Sequence, residues 1–201
     1  MRVDDLFRGS RVRLAGLRKE EAAEMAMWSE DGQYLRLQDT NLARPQTAEQ
    51  VAADLEKLAD DAHNLVFGIR TVDDDVLIGT VGFFEIEWSN GVAWLGMGIG
   101  RQEYWDRGLG SEALGLALRY AFQEMNLHRV TLTVLAYNPR AIRLYEKVGF
   151  RHEGTLREFG ERDGQRYDML LYGLLRREWQ AHEASSGVWI DSGRFSAGGP
   201  R

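Results

Sequence analysis

Polar and apolar residues alternate over residues 11–14, as a short first strand would. Residues 18–28, rich in Ala, Met and Glu, read as a helix. A second helix is better signed. Thr47 is a natural N-cap, Gln50 stands three residues on as in a capping box, and Val51, Leu55 and Leu58 share one face. Leu65–Thr71 then reads as a strand, and the acidic turn Asp73-Asp74-Asp75 leads into another over residues 76–87. Ser89-Asn90-Gly91 turns the chain back into a third strand, Val92–Ile99. Three strands joined by short polar turns imply an antiparallel meander.

The period then changes. After Gly108-Leu109-Gly110 a helical stripe runs through Leu114, Ala117, Leu118, Ala121 and Met125. Val130, Leu132 and Val134 alternate with Thr131 and Thr133 in a further strand. Asn138-Pro139 opens a short helix, with Asn as N-cap and Pro at the first helical position, and Gly149 closes it. Residues 150–159 and 166–174 are two last strands around Asp163-Gly164. No repeat or linker divides these elements, so residues 8–183 are expected to form one domain. Residues 184–201, rich in Ser and Gly, read as a flexible C-terminal tail with an apolar knot at Val188-Trp189-Ile190. Residues 32–45 read as a loop without a decipherable code.

Composition narrows the function classes. A chain of 201 residues with 44% hydrophobic and 28% charged positions can bury a core, and it has no apolar run near the roughly 18 residues of a membrane span. The first residues lack the apolar stretch and cleavage site of a signal peptide. Cysteine is absent, which excludes disulfides and thiolate metal sites and fits a cytoplasmic address. The four histidines share no metal-ligand spacing, so no metal is expected. A net charge of −6 argues against nucleic acid or membrane as a partner. The charge is unevenly spread: residues 20–87 hold 16 Asp/Glu against 4 Lys/Arg, and residues 101–177 hold 13 Lys/Arg against 10 Asp/Glu. Such a split suits a protein that holds a cation with one part and an anion with the other; two solvated faces are the plainer reading.

The candidate anion seat is Arg107-Gly108-Leu109-Gly110-Ser111, between a strand and an amphipathic helix. Glycines there let successive N–H groups converge, the helix N-terminus adds partial positive charge, and Arg107 and the Ser111 hydroxyl offer direct contacts. The spacing Gly108-x-Gly110-x-x-Ala113 also fits a dinucleotide fingerprint. That fingerprint follows the first strand of a parallel unit and needs an acidic residue about 20 positions on. Here an antiparallel meander precedes it, and the next strand ends at Leu135-Ala136 without a carboxylate. Gly96-x-Gly98-x-Gly100 leads to Arg101-Gln102-Glu103 with no third glycine, so it is no fingerprint either.

The run Tyr104-Trp105-Asp106-Arg107-Gly108-Leu109-Gly110-Ser111-Glu112-Ala113 resembles the acetyl-CoA motif of the GNAT N-acetyltransferase superfamily. The run from Asn138-Pro139-Arg140 through Leu144-Tyr145-Glu146-Lys147 to Gly149-Phe150 resembles its second motif. Glu153-Gly154-Thr155-Leu156-Arg157-Glu158 and Asp163-Gly164-Gln165-Arg166-Tyr167-Asp168 resemble the ending of one branch, that of the ribosomal-protein N-terminal-amine and spermidine acetyltransferases. The likeness covers about residues 11–179 in order. It implies an α/β (α+β) fold, a mixed, mostly antiparallel sheet of about seven strands flanked by about four helices. It also implies acetyl-CoA as cosubstrate, a primary amine as acceptor, and allows a homodimer. The protein N-terminal amine is the first expected acceptor, a polyamine or other small amine the second. A degenerate acyl-CoA sensor is the rival reading. One departure stands out: Trp105 occupies the place, three before the first glycine, where the superfamily usually has Gln or Arg.

The resemblance assigns roles residue by residue. Tyr145 matches the tyrosine placed near the thioester sulfur, where a phenol is a sensible donor to a leaving thiolate. The backbone of Met97, Gly98 and Ile99 matches the strand that pairs with the pantetheine amides. Gly108, Leu109, Gly110, Ser111 and Arg107 match the phosphate seat, and Asn138 and Arg143 fall in the second cofactor motif. Glu85 and Glu87, on one face of a strand expected to border the cleft, are the candidates for a base acting through water. Gly96, Gly98 and Gly100 share a bare face expected to widen the acceptor channel.

Overall fold

The computed structural model describes residues 5–186. Strand β1 (Val12–Ala15) leads through a 3-10 turn into helices α1 (Ala22–Ser29), α2 (Gly32–Gln38) and α3 (Ala48–Asp60). The meander follows: β2 (Leu65–Thr71), β3 (Leu77–Glu87) and β4 (Val92–Ile99). Helix α4 (Leu109–Arg119) continues into a π turn and strand β5 (Arg129–Leu135). Then come α5 (Pro139–Lys147), the hairpin β6 (Arg151–Arg162) and β7 (Gln165–Leu175), and α6 (Arg176–Ser186).

The sheet has seven strands in the order β1-β2-β3-β4-β5-β7-β6, antiparallel except for the β4–β5 pair. Its inner face carries Ile69, Ile78, Val81, Phe83, Leu132 and Leu174, which meet Leu114 and Leu118 of α4 in one core. Trp179 of α6 stacks on Phe122 beside it, ring centroids 5.3 Å apart. The expected caps are present. Thr47 and Gln50 form a reciprocal box at α3, and Asn138 Oδ1 accepts the Ala141 N–H at 3.1 Å with Pro139 at the first helical position of α5. Asp163 and Gly164, at φ 54° and 75°, make the tight β6–β7 turn.

Among the described residues six helices flank the sheet rather than about four. Residues 32–45 are not all loop: Asp31 accepts the N–H groups of Gln33 and Tyr34 and starts α2. Seven residues are too few to show a stripe, so periodicity misses such a helix. Helix α6 runs through residue 186, past the boundary drawn at 183, so the helix takes the first residues assigned to the tail. The rest of that stretch, with Val188-Trp189-Ile190, lies outside the described residues.

Helix α4 is locked to β1 by one carboxylate. Glu112 is buried and accepts from the Arg11 N–H (2.8 Å), Arg11 Nε (3.0 Å) and the Ser10 hydroxyl (3.1 Å). Burial pushes its pKa up, but the hydrogen bonds from Arg11, Ser10 and Val12 outweigh that and hold it below the usual carboxylate range.

Candidate active site

Strands β4 and β5 are hydrogen-bond neighbours only from Val92↔Arg129 to Trp94↔Thr131, and beyond that they diverge. The gap opens into a cavity of about 700 Å³. Because side chains alternate along a strand, β4 gives the cavity two unlike faces. A Cβ on Gly110 would meet Ile99, Met97 and Leu144, so the odd residues of β4 face α4 and α5. A Cβ on Gly98 would collide with Gln38, so the even residues face α2. Between the two faces runs the unpaired strand edge. Gly100 N–H donates to Ile78 across β3, and the Ile99 carbonyl accepts from Trp105 Nε1 at 2.7 Å on the other side. By alternation, the N–H and C=O of Met97 point into the gap, where an extended amide chain can pair with them, while Gly98 is paired to Thr80.

The phosphate turn lies at the end of β4. Asp106 and Gly108 both have positive φ, 57° and 77°, and no side chain caps α4. The N–H groups of its first turn are therefore free to hold an anion. Gly110 is not required by conformation or packing, since an added Cβ has nothing closer than 3.8 Å. Its bare surface simply faces the cavity. Opposite, α5 presents Arg140, Arg143 and Lys147 along one face, none paired with a carboxylate among the described residues. Arg140 lies over Trp105, its Cζ 3.7 Å from the ring centroid. The departure at Trp105 thus still leaves a cation beside the turn, supplied from another helix.

Tyr145 sits where α5 meets the gap. It is buried, edge-on to Phe150 at 5.8 Å, and burial pushes its pKa up to about 12. Its hydroxyl has no hydrogen-bond partner among the described residues, although the ring lines the cavity.

Of the residues expected at this site, Tyr145, Met97, Gly98, Ile99, Gly108, Leu109, Gly110, Ser111, Asn138 and Arg143 all line the cavity. Asn138 does so with its side chain already engaged: besides capping α5, its Nδ2 donates to the Leu37 carbonyl at 3.3 Å. Three expectations need correction. Arg107 is exposed and does not line the cavity; its guanidinium lies 5.6 Å from the Tyr104 ring. Glu85 and Glu87 are exposed and off the cavity wall. A bulge between Phe84 and Glu87, with Glu85 at φ 49°, breaks the period of two, and Glu87 is held by Asn90 in the following turn. The glycine face of β4 is not an open channel: Phe84 covers Gly96, Gln38 covers Gly98 and Trp28 fills the hollow of Gly100. The acidic first half, Asp39 apart, lies off the cavity wall, as the plainer reading of two solvated faces has it, and some of its carboxylates pair elsewhere, Glu21 with Arg70, Glu24 with Arg101 and Asp75 with Arg13.

Several cavity residues had no signal in the sequence pattern. Arg140 and Lys147 become visible only once α5 is known to turn positions 140, 143 and 147 one way. Phe159 and Leu156 are aimed by a second bulge, with Glu158 at φ 55° and its N–H bound to Asp168 Oδ1 at 2.8 Å. Among the described residues no helix is long and apolar enough to cross a membrane, and no group of three or more acidic or histidine side chains is placed to hold a metal ion.

Residues 11–151 match the acetyltransferase (GNAT) domain family. Over 113 residues the chain is 35% identical to the uncharacterized N-acetyltransferase p20 of Bacillus licheniformis, covering 56% of this chain and 63% of the relative. Over 114 residues it is 32% identical to the [ribosomal protein uS5]-alanine N-acetyltransferase of Escherichia coli (strain K12), covering 56% and 58%. The chain thus spans less than two thirds of the length of these curated relatives. Among solved structures, a chimera of the Vibrio cholerae spermidine N-acetyltransferase SpeG and hSSAT superposes with a TM-score of 0.75 at 25% identity, covering 85% of this chain and 99% of the other.

Proposed function

The chain belongs to the GNAT acetyltransferase family, and from that premise we propose that it transfers the acetyl group of acetyl-CoA to a primary amine by direct attack. One observation carries the reading. A single cavity joins a helix N-terminus without a side-chain cap and three cations without a carboxylate partner to a free strand edge and a phenol without a hydrogen bond, all among the described residues. Acetyl-CoA brings an activated thioester. The first turn of α4, with Arg140, Arg143 and Lys147, is suited to its phosphates, and the Met97 backbone to its amides. The amine nitrogen bonds to the acetyl carbon, the carbon–sulfur bond breaks, and the proton shed by nitrogen balances the one taken by sulfur. Tyr145 donates a hydrogen bond to the departing sulfur. With Glu85 and Glu87 off the wall, the nitrogen's proton leaves to water. The relatives' named acceptors, an alanine of ribosomal protein uS5 and spermidine, support an amine acceptor on a protein or on a small molecule. A cytoplasmic address belongs to the same reading, supported by the lack of cysteine.

The test is calorimetry with acetyl-CoA followed by free-thiol release with a panel of amines. Binding with amine-dependent thiol release is expected. Binding without release from any amine would make the protein a sensor and end the catalytic reading.

A further inference from the structure

The acceptor side of the cavity is apolar where the charge split of the chain would have made it acidic. Of the 16 acidic residues between positions 20 and 87, only Asp39 lines the cavity. The other carboxylate there, Asp106, belongs to the phosphate turn at the far end. On the α2 side the wall is built from Tyr34, Leu37, Phe84, Trp94, Leu156 and Phe159. Three of these are unusually open to solvent for large apolar side chains: Trp94 at 39%, Leu156 at 49% and Phe159 at 52%. They gather on one wall from two different strands. Register places Leu156, Met169 and Leu135 across from one another, so their side chains share the face that Trp94 and Thr131 also use. Holding such surface in water is unfavourable, and a substrate that covers it gains that energy back.

Asp39 is fixed rather than loose. Its Oδ1 accepts the Asn41 N–H at 2.6 Å and its backbone carbonyl accepts from Arg162 at 2.9 Å, while Oδ2 has no partner among the described residues. One carboxylate beside an aromatic wall matches one positive charge. The second and third charges of a polyamine would lie against rings and lose hydration without a counter-charge.

We propose that the acceptor is an amine with a single positive charge on an aromatic or large aliphatic body, the body seated on Trp94, Leu156 and Phe159 and the ammonium received by Asp39, whence one proton passes to water before the neutral nitrogen attacks. The inference rests on the acetyl-transfer reading and narrows it. Two sources offer this chemistry: a free arylalkylamine, and a peptide N-terminus whose first side chain is bulky and apolar.

Steady-state kinetics with four acceptors separates the cases: phenylethylamine, a short peptide beginning with Phe, the same peptide beginning with Ala, and spermidine. The first or second acceptor should exceed the last two in kcat/KM by roughly 10- to 200-fold, the discrimination an apolar pocket can give. Whichever of the two leads identifies the source. Asp39→Asn should raise the acceptor KM about tenfold while the calorimetric affinity for acetyl-CoA holds. Phe159→Ala should lower kcat/KM for the aromatic acceptor and spare the Ala peptide. Both side chains are exposed, so thermal melts of the variants should match the parent and exclude misfolding. Equal or better turnover of spermidine or the Ala peptide overturns the inference and leaves acetyl transfer standing, as does indifference to both substitutions. Acetyl-CoA binding without turnover of any acceptor removes the acetyl-transfer reading itself, and the inference with it.

Discussion

Tyr145→Phe removes one oxygen from the cavity wall and leaves a ring that is 7% exposed and edge-on to Phe150 in place. Burial holds the Tyr145 pKa at about 12. Two units above the ordinary 10 is about 3 kcal/mol in favour of the protonated form. The phenol is therefore a hydrogen-bond donor throughout the neutral range, and it should put no limb on the pH–rate profile below about pH 11. The same shift makes it a reluctant acid. Complete transfer to a thiolate of ordinary pKa about 8.5 is uphill by about 5 kcal/mol, so its contribution is a hydrogen bond to the developing charge. That places the expected loss near the low end of the general-acid range, about 10²-fold, or close to 3 kcal/mol. Single-turnover acetyl transfer measures it, with calorimetry to show that acetyl-CoA affinity is kept. Stability gives a second readout. A raised folded pKa contributes stability that is fully present below the unfolded value near 10 and is lost as pH rises through about 12. Alkaline unfolding between those values should accordingly be less steep in the variant. A single-turnover rate within about twofold of the parent would refute the donor role and return Tyr145 to a core aromatic.

Gly110→Leu should fold, because an added Cβ has room, and should weaken acetyl-CoA binding by about 100-fold or more as the side chain fills the seat; undiminished affinity by calorimetry would remove the phosphate reading. Glu112→Gln should cost about 1–3 kcal/mol, roughly 2–4 °C of Tm for each, by loosening α4 from β1. Its depressed folded pKa means the contribution is present above the unfolded value near 4.5 and lost as pH falls through the folded one, so the Tm gap should close in acid; a gap constant down to about pH 3 contradicts this. Glu85→Gln and Glu87→Gln should leave kcat/KM within about twofold, and a tenfold rise in acceptor KM would restore a direct role for that acidic pair.

The strands, the cap at Asn138 and the glycine turn were legible because each depends on neighbours in sequence: alternation, a side chain reaching its own backbone, a positive φ that needs glycine. Helix α2 was hidden by its length, and its loss from the reading hid Tyr34, Leu37 and Asp39, half of the acceptor side. The error at Glu85 and Glu87 has a different origin. Phe83 and Ile86 are both fully buried, three positions apart, and the register shift between Phe84 and Glu87 marks a bulge that the alternation rule does not foresee. The two carboxylates also lie beside Val92, at the end of β4 where it is still paired to β5 and the cavity has not opened. Charge counting left two readings open, since it cannot tell a carboxylate paired across the fold, such as Glu24 with Arg101, from one that waits for a ligand.

The divergence of β4 and β5 makes the site, and the two strands are held apart from the same side of the sheet. The end of β4 is anchored to α1: Arg101 makes two hydrogen bonds to Glu24, at 2.7 and 2.9 Å, and Trp28 fills the hollow over Gly100. The end of β5 is anchored to α2, where the Tyr137 hydroxyl donates to the Arg36 carbonyl and Asn138 Nδ2 to that of Leu37. The first anchor uses side chains on α1, and a larger residue at 100 would strike the indole. The second reads only the backbone of α2. Side chains along α2 can therefore change without releasing β5, and those side chains form part of the acceptor wall. The acceptor wall and the opening of the strands are in this way uncoupled, so that under the acetyl-transfer proposal changes on the wall leave the opposite face, set by the odd residues of β4, with its geometry.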